Sequence, residues 1–224
     1  MDERVPKIDF HRLYERFDVP LMDMDCGKMC APHNPRGLPA CCDLCLAVPA
    51  AYHGEWEYLC IHTDLWHVWR GDECAVEASD PASVLEETPG HMLLLACRGA
   101  VQCRREFRTL SCRQFPFFPY ISSDYRFLGL ACHWDFEQTC WVISNLGLVS
   151  AEYRRQFVQT YDEIFALWQE DFECYAVSSE EMRTHYLARR RRFPLLHRDG
   201  GYCLVSPGSE RMQRVSSEKL PAYW

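Results

Sequence analysis

Fourteen cysteines in a chain of 224 residues make thiolate chemistry the first question this sequence raises. Ten of them fall in two groups. The first group is Cys26 and Cys30 in DCGKMC, with Cys41, Cys42 and Cys45 in ACCDLC; the second is Cys97, Cys103, Cys112, Cys132 and Cys140. Cys42-x-x-Cys45 has the spacing at which one turn presents two sulfurs to one metal ion. Cys26 and Cys30 flank Gly27-Lys28-Met29, a loop able to fold both sulfurs inward. Cys41 and Cys42 are adjacent, and in extended or irregular backbone adjacent side chains diverge. That pair therefore points to a polynuclear centre, or to one ligand beside one buried thiol. His33 is of the type that completes a Cys/His set, although an isolated loop histidine more often faces solvent. Arg98, Arg104, Arg105, Arg108 and Arg113 surround the second group, where cations lower thiol pKa and offset the charge of a thiolate-bound metal.

Cys132-His133-Trp134-Asp135 has the composition of a nucleophilic triad, but neighbouring residues rarely point together, and such triads are assembled from distant segments. Cys60, Cys74, Cys174 and Cys203 stand apart and are expected to be small buried hydrophobes. The opening MDERVPKIDFHRLYERF offers no continuous apolar stretch to a signal-sequence receptor, and no window approaches the roughly 20 apolar residues of a membrane span. These features predict a soluble cytoplasmic protein with no membrane partner. In a reducing cytosol clustered cysteines bind metal more often than they form disulfides. The formal charge of −8 argues against a nucleic-acid partner. Arg189 to Arg192 are an exception read as the solvated last turn of a helix.

The elements that must position these residues are legible in part. With 48% hydrophobic and 13% aromatic residues there is ample material for a core. The acidic stretch Ala75 to Gly90 reads as a surface loop. His91 to Ala96, Phe115 to Ile121 and Tyr125 to Ala131 read as strands, the last two as a hairpin through Ser122, Ser123 and Asp124. Tyr153, Phe157, Tyr161, Ile164, Phe165, Trp168 and Phe172 recur at intervals of three and four, which predicts one long helix capped by Ser150, its aromatic stripe facing a core. Ser178 with Glu181 fits the capping box of a second helix stopped by Pro194. Tyr202 to Val205 is a short apolar stretch, and the polar tail beyond Pro207 reads as partly disordered. The fold class expected is α+β in a single domain, with a cysteine-rich metal-binding half over roughly 20–145 and a helical support region over roughly 150–205.

Cys103, Arg108, Cys112-Arg113-Gln114-Phe115-Pro116 and Cys132 together resemble the C-x-I-Y-x-x-R-P-x-x-C-R-x-F-P signature of the YkgJ-type cysteine-cluster family, which chelates zinc or iron. Cys26-Gly27-Lys28-Met29-Cys30 resembles that family's earlier C-G-x-C-C element. The likeness covers roughly Met24 to Cys140. Asp23 and Met29 stand where the pattern has cysteines, Thr109 replaces the proline after Arg108, and Cys103 to Cys112 is one residue short. ACCDLC has no counterpart and is read as supplying the missing thiolates. The resemblance implies a metal ion held as zinc or as an iron–sulfur cluster. Its candidate ligands are Cys26, Cys30, Cys41, Cys42, Cys45, Cys103, Cys112 and Cys132, with Arg108 and Arg113 balancing charge at the cofactor; which of Cys41, Cys42, Cys45 and Cys140 bind is left open. The flagellin lysine methylases carry a similar motif, which implies as an alternative a protein-modifying methyltransferase. No glycine-rich strand-to-helix loop is present, so S-adenosylmethionine would need another kind of pocket. A third alternative is a structural zinc scaffold for a protein partner.

Overall fold

The computed structural model describes residues 8–73 and 81–223. Cys74 and the first part of the acidic stretch, 75–80, lie outside the described residues. The chain mixes helices with two antiparallel sheets, an α+β arrangement, and divides into two compact units: Met1–Asp18 with Gly27–Phe115, and Val19–Cys26 with Pro116–Trp224. Among the described residues no helix is long and apolar enough to cross a membrane.

The first unit contains the helices α1 (Phe10–Arg16), α2 (Gly27–Cys30), α3 (His53–His62), α4 (Pro81–Glu86) and α5 (Leu110–Gln114), and the strands β1 (Ala50–Tyr52), β2 (Trp66–Val68) and β3 (Met92–Cys97). The strand order is β1-β3-β2. The expected strand at His91 to Ala96 is thus β3, and α4 occupies part of the stretch expected to be loop. Two short helices start on polar caps: Asp9 Oδ1 accepts the amide of Arg12 at 3.1 Å, and Thr109 Oγ1 accepts the amide of Cys112 at 3.2 Å. Thr109 therefore does what a proline could not, since its hydroxyl satisfies an amide that α5 leaves open. Glu55 ties the unit together from a fully buried position. It accepts hydrogen bonds from Tyr14 Oη at 2.6 Å, from the Leu110 amide at 2.6 Å and from the Tyr52 amide at 3.2 Å, linking α1, α5 and β1 to α3.

The second unit contains a five-stranded sheet, β4 (Phe117–Ile121), β5 (Phe127–Cys132), β6 (Phe193–His197), β7 (Tyr202–Val205) and β8 (Met212–Val215), in that order, with α6 (Ala151–Leu167) and α7 (Gln169–Ala188). β4 and β5 form the expected hairpin. Phe117 packs on Tyr153 of α6, whereas Phe118 and Tyr120 join Met182 and Tyr186 of α7 in one buried cluster. Both faces of β4 are covered, which accounts for its uninterrupted burial.

Ser150 caps α6 as expected, its Oγ accepting the amide of Tyr153 at 3.0 Å. The single long helix is not observed. Trp168 has extended backbone, and Gln169-Glu170-Asp171 opens α7 with the acidic first turn that a helix dipole favours. The stripe is a core face: Tyr153, Phe157, Tyr161 and Ile164 are fully buried. Ser178 is no cap, because it lies inside α7 and its Oγ donates back to the carbonyl of Cys174 at 3.2 Å. Pro194 does not stop α7 either. The helix ends in a Schellman arrangement in which Arg190 takes φ +52°, with the amides of Arg191 and Arg190 bonded to the carbonyls of Tyr186 and Leu187 at 3.0 Å each. Pro194 sits in β6 opposite Leu204, one residue beyond the β5–β6 ladder, where its missing N–H breaks no bond. The polar tail contributes β8 instead of being unstructured.

Candidate metal centre

Five cysteines of the first unit line one cavity of about 60 Å³: Cys41, Cys42, Cys97, Cys103 and Cys112, with Arg108 beside them. They come from three separate places in the chain. Cys41 and Cys42 sit in a single 3-10 turn, Ala40–Cys42. Cys97 ends β3, and Cys103 follows the turn Ala100–Gln102. Cys112 lies on the first turn of α5, fixed there by the Thr109 cap. The walls between them are apolar, formed by Leu44, Trp66 and Phe107, and the Trp66 indole donates to the Phe107 carbonyl at 2.7 Å.

Cys41 and Cys42 do not diverge. Their sulfurs are 3.9 Å apart, because consecutive residues of a 3-10 turn are offset by about 120° where strand residues alternate to opposite faces. Arg108 Nε donates to Cys103 Sγ at 3.1 Å, so the cation touches a thiol directly. The Cys112 thiol is pushed up to about 12, chiefly by burial and in part by Cys42 and Cys97, against the Thr109 hydrogen bond and Arg108. Burial likewise raises Cys97, with Cys42 and Cys103 adding to the effect. These mutual influences place Cys42, Cys97, Cys103 and Cys112 within electrostatic reach of one another. Among the described residues, no set of three or more Cys, His, Asp or Glu side chains is drawn close enough together to hold a metal ion. The thiols ring the cavity and do not converge on a point.

The other expected site residues are distributed differently. Cys45 is disulfide-bonded, which takes its sulfur out of a thiolate set. Cys30 is buried and directs its Sγ to the Gly27 carbonyl at 3.7 Å, and it is not among the cavity residues. His33 is exposed. Cys26 and Cys132 belong to the second unit. There the Cys132 thiol is pushed well above its usual range by burial first and then by Cys140 and Glu137, so Cys132 and Cys140 are near neighbours. His133 is half-buried, its pKa lowered to about 4 by desolvation, and packs on Phe118 and Phe136. Of the isolated thiols, Cys203 is buried, Cys174 half-buried and Cys60 exposed.

Arg113 is not at the cavity. Its guanidinium is buried over the Tyr14 ring and bonds to the carbonyls of Tyr14, Phe17, Arg105, Glu106 and Arg108 and to Asp18. It clamps the chain around α5 and has little left for a ligand. Cys97 is the cavity residue that motif reasoning passed over. The available signal was its position at the end of an apolar strand, six residues before Cys103.

The donor set has the right chemistry for a soft metal: several thiols, a neighbouring guanidinium and largely apolar walls, although Cys103 is exposed. Compared with family models, with curated proteins and with solved structures, the chain matches none.

Proposed function

We propose that this is a cysteine-cluster protein of the YkgJ type that holds a thiolate-bound iron–sulfur centre in the cavity of the first unit, with a redox or metal-handling role. The observation that carries this reading is the meeting of five cysteines from three chain segments on one cavity. Cys41, Cys42, Cys103 and Cys112 are kept from the expected ligand set and Cys97 joins it, while Arg108 offsets thiolate charge. Five thiols spread round a cavity exceed what one tetrahedral ion takes, which favours a polynuclear centre. Such a centre supplies one-electron chemistry when bound. The protein's own part is to deliver deprotonated sulfurs, surround them with the apolar side chains of Leu44, Trp66 and Phe107, and hold a cation next to Cys103. Because Cys112 is protonated in the metal-free fold, loading must release protons, and metal binding is coupled to local ordering.

One observation favours structural zinc as the second reading. The 3.9 Å separation of the Cys41 and Cys42 sulfurs matches the edge of a zinc–sulfur tetrahedron, about 3.8 Å for bonds of about 2.3 Å. Anaerobic purification followed by iron, zinc and acid-labile sulfide analysis separates the two. Iron and sulfide in the wild type, lost in both Cys42→Ser and Cys112→Ser but kept in Cys203→Ser, is the expected result. Stoichiometric zinc without sulfide would move the assignment to a scaffold, and full metal content in both serine variants would refute a centre at this cavity.

A further inference from the structure

Within the cysteine-lined cavity, Cys41 and Cys42 are a pair in their own right. Their sulfurs are 3.9 Å apart, and neither residue is in a disulfide. The 3-10 turn that carries them is held by its backbone and by a buried carboxylate. The Cys42 amide donates to the Pro39 carbonyl at 2.8 Å and the Asp43 amide to the Ala40 carbonyl at 3.4 Å. The Asp43 carboxylate accepts from Asn34 Nδ2 at 2.8 Å, from Arg36 Nε at 2.6 Å and from the Cys45 amide at 3.1 Å. The two sulfurs are therefore presented together on a fixed turn, which lowers the ordering cost of a ligand that bridges them.

Among the described residues no third Cys, His, Asp or Glu closes on this pair as a metal set would. A ligand that needs only two sulfurs is the one these positions suit. The rest of the cavity is largely apolar, with Leu44, Leu65, Trp66 and Phe107, and it opens at the exposed Cys103. At about 60 Å³ it has space for a small organic group, since a single water needs about 10–15 Å³.

We infer that Cys41 and Cys42 form a dithiol site for a trivalent organoarsenical, an arsonous acid whose carbon substituent enters the apolar cavity. Arsenic in this class has one of its three positions filled by carbon and two by hydroxide, so two sulfurs complete it. Two As–O bonds break, two As–S bonds form, and each thiol proton leaves with a hydroxide as water; arsenic stays trivalent. No charge is created among apolar walls, where an ion is costly. Arsenic shares the preference of soft ions for sulfur. Its bonds to sulfur are close to those of zinc in length and its bond angle is narrower. The pair, already near the zinc tetrahedral edge of about 3.8 Å, therefore needs only a small side-chain rotation. This site goes beyond the iron–sulfur reading and competes with it, because both use the same two sulfurs.

The test is intact-mass analysis of the metal-free full chain with equimolar phenylarsine oxide or methylarsonous acid, in the presence of excess glutathione. A single adduct is expected, resistant to glutathione and removed by the dithiol dimercaptopropanol, with Cys41 and Cys42 together shielded from alkylation by iodoacetamide. The phenyl compound should bind several-fold tighter than the methyl one through the extra apolar area it buries. Cys41→Ser and Cys42→Ser should each weaken retention at least roughly tenfold, since the second As–S bond is no longer available as an intramolecular step. Cys112→Ser, which should lose the iron–sulfur centre, should keep the arsenical, so the two assignments fail on different measurements. Undiminished retention in Cys41→Ser or Cys42→Ser, displacement by glutathione, or equal binding of the two arsenicals would overturn the site. Should the serine variants fail to fold, the wild-type shielding decides: confined to Cys41 and Cys42 it supports the site, and at any other cysteines it refutes it.

Discussion

Arg108 and Arg113 are five residues apart and do different work. Arg113 is surrounded by carbonyl oxygens, and Arg108 touches a thiol. Replacing Arg113 by Gln should therefore cost about 3 kcal/mol or more in chemical denaturation, since several hydrogen bonds from a buried charge are lost together. Arg108→Gln should cost under about 1 kcal/mol in the metal-free protein, as a half-buried substitution does, yet shift the absorption spectrum or reduction potential of the loaded centre. Reversed outcomes would exchange the two roles. Glu55 sets a pH dependence. Burial raises its carboxyl from the usual 4.5 to about 7, against the pull of its hydrogen bonds and of Arg113. The folded state thus binds this proton more tightly than the unfolded chain does. Its contribution to stability is complete below about pH 4.5 and is lost as pH rises through about 7, on the order of 3 kcal/mol. Urea titrations at pH 5 and pH 8 should show a smaller difference between the two pH values in Glu55→Gln than in the wild type.

At the scale of elements, the β5 strand depends on one glycine. Gly129 has φ +144°, and a Cβ there would lie 2.1 Å from the Leu196 carbonyl oxygen of β6. Both strain and collision fall on backbone, which cannot swing aside as a side chain does. Gly129→Ala should lower stability by more than about 3 kcal/mol or abolish folding, measurable as loss of the cooperative thermal transition. The α6–α7 break gives a milder expectation. Trp168 is half-buried at the junction, so Trp168→Ala should cost about 1–2 kcal/mol, less than the 3–5 of a fully buried aromatic. Periodicity marked the aromatic face correctly but not the break, because a stripe at intervals of three and four continues across a single extended residue. Ser178 shows the opposite error. A capping box is a local pattern, and here the intended cap serine is already inside a helix whose start was set upstream by Gln169-Glu170-Asp171.

The whole molecule has two separately cored units, and the cavity with five cysteines belongs to one of them. Removal of the proposed centre should therefore be felt unevenly. In hydrogen exchange of the full chain, stripping the centre with a chelator and reductant should raise exchange in β3 and α5, where Cys97 and Cys112 sit, and leave β5, β6 and β7 protected. Equal loss of protection in both sheets would show that the centre supports the entire protein.

Residue types alone made thiolate chemistry the question to ask of this chain: clustered cysteines and adjoining arginines are visible in the sequence and need no fold. The Ser150 cap and the β4–β5 hairpin were legible for a related reason, since each is decided by groups a few residues apart. Tertiary structure decided what depends on distance through space. It brought Cys41 and Cys42 to Cys97, Cys103 and Cys112, bound Cys45 in a disulfide, and turned Arg113 into a clamp on carbonyls. Thiol spacing along a chain says which sulfurs are near in sequence; which share a cavity is settled by how strands and helices bury their apolar faces.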